Sequence, residues 1–179
     1  MRSPLQFLQL ITLSLALVVA PQASADNKAM IDGNTALALE RLREHLVGAE
    51  ELLDSAVGVL VFPDVVKMGF GEGGQYGEGA LLVEREPVAY YATAGSKFGL
   101  QLGSQYKAEV ILFMTEESLQ QFRSTQGWKV GMHGNVQLVE PDGFDRNKVT
   151  EPMVGFIFSD EGLRNHLTLE GSKITRIAR

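Results

Sequence analysis

Four lysines lie in or beside three glycine-rich stretches, and their side chains have the clearest potential for chemistry in this sequence. They are Lys67, Lys97, Lys107 and Lys129. Successive side chains of an extended segment alternate between two faces, which places Lys97 and Lys129 on the same faces as the neighbouring glycines. Ammonium groups on a bare, curved backbone surface can bind an anionic headgroup, with backbone N–H groups contributing. The alternative is that these lysines only keep an exposed face soluble.

The glycines of these stretches recur on alternate positions of the chain. In the first two stretches, the glycines that share a face are Gly69, Gly71, Gly73, Gly77 and Gly79, and then Gly95, Gly99 and Gly103. A third, shorter stretch places Gly127 and Gly131 on one face and Trp128 and Val130 on the other. Glycine is unfavourable in a strand unless the backbone must bend or another group must approach closely. The pattern therefore predicts strongly bent antiparallel strands and a glycine backbone surface available to a ligand.

The remaining polar motifs do not combine into a catalytic or metal-binding pattern. Residues 69–74 match G-x-G-x-x-G, but nucleotide binding requires a helix to begin at these glycines, and the glycine-rich sequence that follows favours a strand. The three histidines, His45, His133 and His166, are far apart and lack metal-ligand spacing. No serine lies in a nucleophile elbow, and the acidic pairs are adjacent residues that point in different directions. We expect a non-catalytic protein without a metal or cofactor.

Composition narrows the classes of function further. The sequence has no cysteine, which excludes disulfides, thiolate nucleophiles and cysteine-ligated metals. It has a net charge of −6, and removal of residues 1–25 would take away one base, Arg2, and no acid, giving −7. This charge argues against general nucleic-acid binding, which needs a basic surface, but leaves room for a local basic patch. Residues 26–179 have the length of one domain.

Residues 1–25 have the pattern of a secretory signal peptide. Arg2 provides a positive charge, an apolar stretch follows over residues 7–20, and Ala23-Ser24-Ala25 has the form of a cleavage site. A membrane anchor is the alternative, but the apolar stretch is shorter than the about 20 residues that a spanning helix needs. We therefore expect cleavage before Asp26 and a periplasmic or secreted mature protein. The lack of cysteine excludes acylation as a lipoprotein.

An amphipathic helix is predicted after Asp32-Gly33-Asn34, a turn sequence in which Asn34 would be the N-terminal cap. Over about five turns, apolar residues recur at steps of three and four. These residues are Leu39, Leu42, Leu46, Ala49 and Leu53. Such a stripe commonly packs on a sheet. Membrane insertion is the alternative, but the mixed charge of the helix and its lack of aromatic residues do not favour it.

Several apolar segments predict strands. Residues 56–62 form a β-branched run typical of a strand buried on both faces, which we expect to end at Pro63. Further strands are predicted over residues 88–92, 109–114, 155–158 and 167–169. Thr115 is the expected cap of a short helix that includes Leu119 and Phe122. These elements predict an α+β fold, with a curved, barrel-like antiparallel sheet, an N-terminal amphipathic helix and short additional helices.

The order of these motifs resembles the SYLF family of lipid-binding domains over residues 39–179. The resemblance lies in Val59-Leu60-Val61-Phe62-Pro63, Lys67-Met68-Gly69-Phe70-Gly71, residues 73–81 (GGQYGEGAL), Tyr91, Gly95-Ser96, residues 99–103 (GLQLG), 113–115 (FMT) and 169–172 (LEGS). It implies one lipid-binding domain over residues 26–179. Eukaryotic members bind phosphoinositides through a basic surface and an amphipathic helix, and some fungal members bind actin. The helix here is not basic, and an exported protein would meet neither partner.

We therefore expect an exported, non-catalytic module of the bacterial envelope that binds anionic phospholipids or a membrane surface. The candidate site comprises the four lysines and the glycine surface. The basic C-terminal residues Lys173, Arg176 and Arg179 are the next candidates. The alternative function is a structural or protein-interaction factor of the envelope whose glycine-rich sheet surface receives another protein chain.

Overall fold

A computed structural model of the chain describes residues 22–68, 73–96, 106–139, 149–163 and 167–179, with residues 22–26 described by their backbone alone. Within this part, three helices are α1 (Gln22–His45), α2 (Ala49–Ser55) and α3 (Glu116–Ser124). The strands are β1 (Gly58–Met68), β2 (Gly74–Val83), β3 (Glu86–Gly95), β4 (Tyr106–Phe113), β5 (Trp128–Lys129), β6 (Gln137–Leu138), β7 (Met153–Ser159), β8 (Gly162–Leu163) and β9 (Lys173–Ile177). The signal-peptide prediction falls almost wholly outside the described residues.

All of these strands belong to a single curled sheet. Its order is β5-β9-β3-β2-β1-β4-β7-β6, and β8 also pairs with β7. Neighbouring strands are antiparallel except β6 and β7, which are parallel. The α+β fold and the curved, half-barrel sheet that the sequence predicts are confirmed.

Each face of the sheet carries its own apolar core. On the α1 face, Leu42 and Ala38 pack with Val61, Val110 and neighbouring apolar side chains of the central strands. On the opposite face, which we call the α3 face, the α3 side chains pack with Trp128 and other large residues. Phe122 of α3 lies with its ring centroid 4.9 Å from that of Tyr91 and 5.6 Å from that of Trp128. Because both faces are covered, β1 buries residues 60–63 at four consecutive positions, in keeping with the strand buried on both faces that residues 56–62 predict.

The predicted turn at residues 32–34 is wrong, because α1 runs through it without a break. Ile31 is buried in the core of the α1 face and extends the apolar stripe by about two turns towards the N-terminus. Asn34 caps nothing, and its side-chain amide instead donates a hydrogen bond to the Asp64 carboxylate at 2.9 Å. Burial of the stripe thus outweighs the local preference of Gly33 for a turn.

The amphipathic helix also ends earlier than predicted. Gly48 adopts a left-handed conformation with φ 87°, which separates α1 from the short α2. Leu39, Leu42, Leu46 and Ala49 are buried as expected, but after the break Leu52, at 2 % exposure, is buried in the core and Leu53 packs against it only partly buried.

Pro63 does not end the first strand. The pairing of β1 is interrupted between Phe62 and Val65 on the β4 side and between Val61 and Val66 on the β2 side. Proline lacks a backbone N–H and is tolerated in a sheet at such an irregularity, where no ladder hydrogen bond is required of it. The strand therefore continues to Met68 with a bulge.

The strands predicted over residues 88–92, 109–114 and 155–158 are confirmed as parts of β3, β4 and β7, whereas the third glycine-rich stretch forms a strand only at Trp128–Lys129, between Gly127 and Gly131 with positive φ. The Thr115 hydroxyl accepts a hydrogen bond from the backbone N–H of Ser118 at 3.2 Å, which makes it the predicted cap of α3. Residues 167–169 do not form a strand, although Leu169 is buried in the core of the α3 face. The last strand is β9, which forms from the basic C-terminal segment.

Candidate functional site

The glycines of β2 face the bulge of β1, and they are not open to a ligand. A Cβ at Gly79 would lie 1.9 Å from the backbone oxygen of Val61, and one at Gly77 would lie 2.9 Å from Cγ2 of Val65. These glycines permit a close approach of backbone, which was one of the two reasons that the sequence offered for them. The expectation of a bare glycine surface is wrong at these two positions.

Gly95 in β3 is covered by a side chain. A Cβ there would lie 3.2 Å from Cγ and Nε2 of Gln75, which crosses it on the α3 face. Gly73 precedes β2 in a left-handed conformation, φ 38°, which favours glycine. The other predicted glycines, Gly69, Gly71, Gly99 and Gly103, lie outside the described residues, as does Lys97.

The three predicted lysines that the structure describes do not lie on one surface. Lys107 is buried on the α3 face, where its side chain is 1 % exposed, so it cannot belong to an exposed basic surface. Lys67 is half-buried and lies opposite Gln75, also on the α3 face. Lys129 lies on the α1 face, opposite in direction to Trp128 and Val130, as strand alternation predicts.

Lys107 belongs to a buried polar network that the sequence analysis missed. Its ammonium group forms a salt bridge of 3.0 Å with Glu109, whose side chain is also 1 % exposed. Nε2 of Gln75 donates to Glu109 at 3.3 Å and to the Ser172 hydroxyl at 3.1 Å. The members of such a network depend on one another, because a buried charge is tolerated only while it is paired and hydrogen-bonded.

Two polar atoms on this face have no hydrogen-bond partner in the part of the chain that the structure describes. They are Oε1 of Gln75 and the hydroxyl of Thr93, on neighbouring strands.

Lys107 and Glu109 could have been predicted to interact, because residues two apart on a strand share a face. Ser172 and Gln75 could not, since the pairing of β9 with β3 brings distant segments together.

A second set of residues crosses the sheet on the α1 face, and we call it the outer stripe. Successive register pairs join one residue from each of six neighbouring strands. In order across the sheet, the outer stripe consists of Lys129, Lys173, Ala94, Tyr76, Val66 and Tyr106. Directly paired residues point to the same face, and five strand spacings give the stripe a length of about 24 Å.

The outer stripe has one cationic end and one aromatic end. Lys173 is exposed and Lys129 half-buried, whereas Tyr106 is 60 % exposed and Tyr76 38 %. Met68, 53 % exposed, lies two residues beyond Val66 on the same face and extends the aromatic end. The sequence makes Lys173 a candidate only after the four lysines, because its place beside Lys129 depends on the register between β5 and β9, which the sequence does not reveal.

The two lysines of the outer stripe are direct neighbours on β5 and β9. Neither ammonium group forms a salt bridge with any carboxylate of the described residues. Like charges directly opposite each other on neighbouring strands are destabilising. An anion that bound between them would relieve this repulsion and gain two charge-assisted hydrogen bonds.

Tyr76 is held as a neutral phenol in the middle of the stripe. Its hydroxyl donates to the Glu78 carboxylate at 2.7 Å, and Glu78 is in turn bound by Arg179. Burial raises the pKa of Tyr76, and the hydrogen bond to Glu78 raises it further. This tyrosine therefore presents a fixed, uncharged ring edge to solvent, which suits the boundary between headgroups and hydrocarbon.

Within the described residues, no group of three or more histidine, aspartate or glutamate side chains is placed to hold a metal ion. None of the described helices is long and apolar enough to span a membrane. A scan against models of known protein families finds no match for the chain. A search of curated proteins likewise finds no significantly similar sequence.

Proposed function

We propose that the protein binds the surface of anionic phospholipid membranes through the outer stripe, as an exported, non-catalytic module of the bacterial envelope. The observation that carries the proposal is the adjacency of Lys129 and Lys173, two ammonium groups without a carboxylate partner among the described residues, to an exposed row of tyrosine and aliphatic side chains. The resemblance to SYLF domains and the predicted signal peptide support the same class of ligand and the same location.

The charge of the whole protein makes the local arrangement decisive. A mature chain of net charge −7 is repelled by an anionic surface, so attraction has to come from a patch on which bases are not neutralised. Each lysine close to an anionic membrane contributes about 1 kcal/mol. Tyr106 and Met68 add apolar area that can enter the interface, and tyrosine is typical of that depth.

The alternative function requires a glycine surface that is open to a protein partner, and this surface is not open at three positions. Gly77, Gly79 and Gly95 are each covered by the protein's own backbone or side chains. The outer stripe has the mixture of charge and aromatic residues that a lipid headgroup region requires, and we retain lipid as the ligand.

The test is flotation of the mature protein, residues 26–179, with vesicles of phosphatidylglycerol and phosphatidylcholine, compared with vesicles of phosphatidylcholine alone. We expect binding to the anionic vesicles only, lost as salt shortens the Debye length to about 3 Å at 1 M. Lys173→Gln should weaken binding about fivefold, and the Lys129→Gln, Lys173→Gln double variant about thirtyfold. Tyr106→Ser should weaken it without changing the salt dependence.

Arg123→Gln is the matched control, because it removes one exposed charge from α3 on the other side of the sheet. It should leave binding unchanged. If the double variant binds as tightly as the parent protein, the outer stripe is not the site. Equal binding to phosphatidylcholine vesicles would show that headgroup charge plays no part.

A further inference from the structure

A cavity of about 630 Å³ lies between α1, α2, the start of β1 and the turn that joins β2 to β3. It is separated from the outer stripe by most of the length of β1, about 20 Å at the rise of a strand. Its volume is within the range of small-molecule sites. Leu39, Val59 and Leu82 are among the apolar side chains that line it.

The charged side chains around this cavity are mostly acidic. Its two arginines are already engaged: Arg43 binds Glu50, and Arg85 binds Glu50 and Asp54. Four further carboxylates line the cavity and have no basic partner among the described residues. They are Asp32, Glu40, Glu84 and Glu116. The surroundings of the cavity therefore favour a cation over an anion.

A polar group in the wall of the cavity supplies an independent indication of a ligand. Thr35 is 2 % exposed and lines the cavity, and its hydroxyl has no hydrogen-bond partner in the described part of the chain. A buried hydroxyl without a partner is unfavourable, because it has lost its hydrogen bonds to water and has gained none within the protein. A ligand with a polar head would satisfy it at the junction between the charged rim and the apolar wall.

We propose that this cavity binds a small aliphatic amine, with the ammonium group among the rim carboxylates and the hydrocarbon against the apolar wall. An aliphatic carboxylate of the same length would meet four unneutralised carboxylates, so the site discriminates by the charge of the head. This proposal is independent of the binding of anionic membranes at the outer stripe. Either can fail without the other.

The experiment compares decylamine, decanol and decanoate, which share one hydrocarbon chain, by calorimetric titration of residues 26–179. We expect decylamine to bind about tenfold more tightly than decanoate, because several exposed ammonium–carboxylate pairs each add a modest preference. Decanol should fall between them. Equal affinity for decylamine and decanoate, or no binding of decylamine, would overturn the proposal.

Variants locate the binding. Glu40→Gln should weaken the binding of decylamine about threefold and leave the binding of decanol unchanged. Glu44→Gln, one turn along α1 and outside the cavity, should change the binding of neither probe. Ala36→Phe places a ring at the cavity from an exposed helix position and should abolish binding of both probes. Thr35→Val keeps the shape of the side chain and should weaken decanol and decylamine alike. If Ala36→Phe binds decylamine as the parent protein does while its circular dichroism is unchanged, the amine is bound elsewhere and the proposal is wrong.

Discussion

Replacement of Gly79 by alanine tests whether the glycines of β2 exist to admit the bulge of β1. The new Cβ would lie 1.9 Å from the backbone oxygen of Val61 and 2.8 Å from the Phe62 ring. Neither contact can be relieved by rotating a flexible side chain, since one partner is backbone and the other is a fully buried ring. To restore an ordinary separation of 3.4 Å, the backbone of β1 would have to move by about 1.5 Å.

Such a displacement affects both ladders of β1, which is paired with β2 on one side and β4 on the other. Overpacking of this kind costs about 3 kcal/mol, and lost ladder hydrogen bonds add to it. For a chain of this size, about 3 kcal/mol lowers Tm by about 6–12 °C. Urea denaturation and thermal melting of the Gly79→Ala variant should therefore both show a large loss of stability.

The chain contains a matched control in Gly33, within α1. A Cβ at Gly33 has nothing within 4 Å, and its backbone is helical, so alanine should fit without strain. Gly33→Ala should stabilise the fold by about 0.5–1 kcal/mol, because alanine loses less conformational freedom than glycine in a helix. If Gly79→Ala were as stable as the parent protein while Gly33→Ala behaved as expected, the bulge would not require glycine, and the account of the β2 glycines would be refuted.

Two further perturbations test the buried groups. Lys107→Met should destabilise the fold by about 3–5 kcal/mol because it leaves Glu109 buried without its cation, and the Lys107→Met, Glu109→Leu double variant should recover much of that loss in urea denaturation; a single variant as stable as the parent protein would contradict the pairing. Burial and the hydrogen bond to Asp32 raise the pKa of Tyr90 to about 12, so the folded protein keeps a proton that the unfolded chain loses near pH 10. The stability that this group contributes should thus be present below about pH 10 and be lost as the pH rises towards 12, and Asp32→Asn should narrow that window in urea midpoints measured against pH.

The α+β class and the curved sheet could be predicted because they depend on local patterns. Alternation placed Lys129 opposite Trp128, and the same reasoning put the β2 glycines on one face. What that face contacts depends on the bulge at Pro63, where β1 has one residue more than β2 between paired positions and where the backbone of Val61 lies close to Gly79. A proline in an apolar run indicates either the end of a strand or a bulge, and only the pairing of its neighbours decides between them.

The candidate site was harder to predict from sequence than the fold, because it depends on the register between distant segments. Lys173 lies beside Lys129 only because the C-terminal segment returns to pair with β5 and β3. Lys107 was misassigned for a related reason: its glycine-rich neighbourhood indicated exposure, whereas its strand lies between two others at the centre of the sheet. The one local signal for its burial was Glu109, two residues away on the same face.

The side chains that cover the α3 face limit where a ligand can bind. Trp128, Phe122 and Phe113 fill that face near α3, and the Lys107–Glu109 pair occupies it where the glycines had indicated an open surface. A ligand there would have to displace a paired buried charge, which costs several kcal/mol before any contact is gained. The α1 face is covered by α1 over the central strands, but the outer stripe on that face stays exposed. The exposed outer stripe lies beyond the helix, and the cavity lies beneath it. We therefore expect ligands on the parts of the α1 face that the helix leaves uncovered, whereas Gly77, Gly79 and Gly95 allow the protein's own backbone and side chains to approach closely.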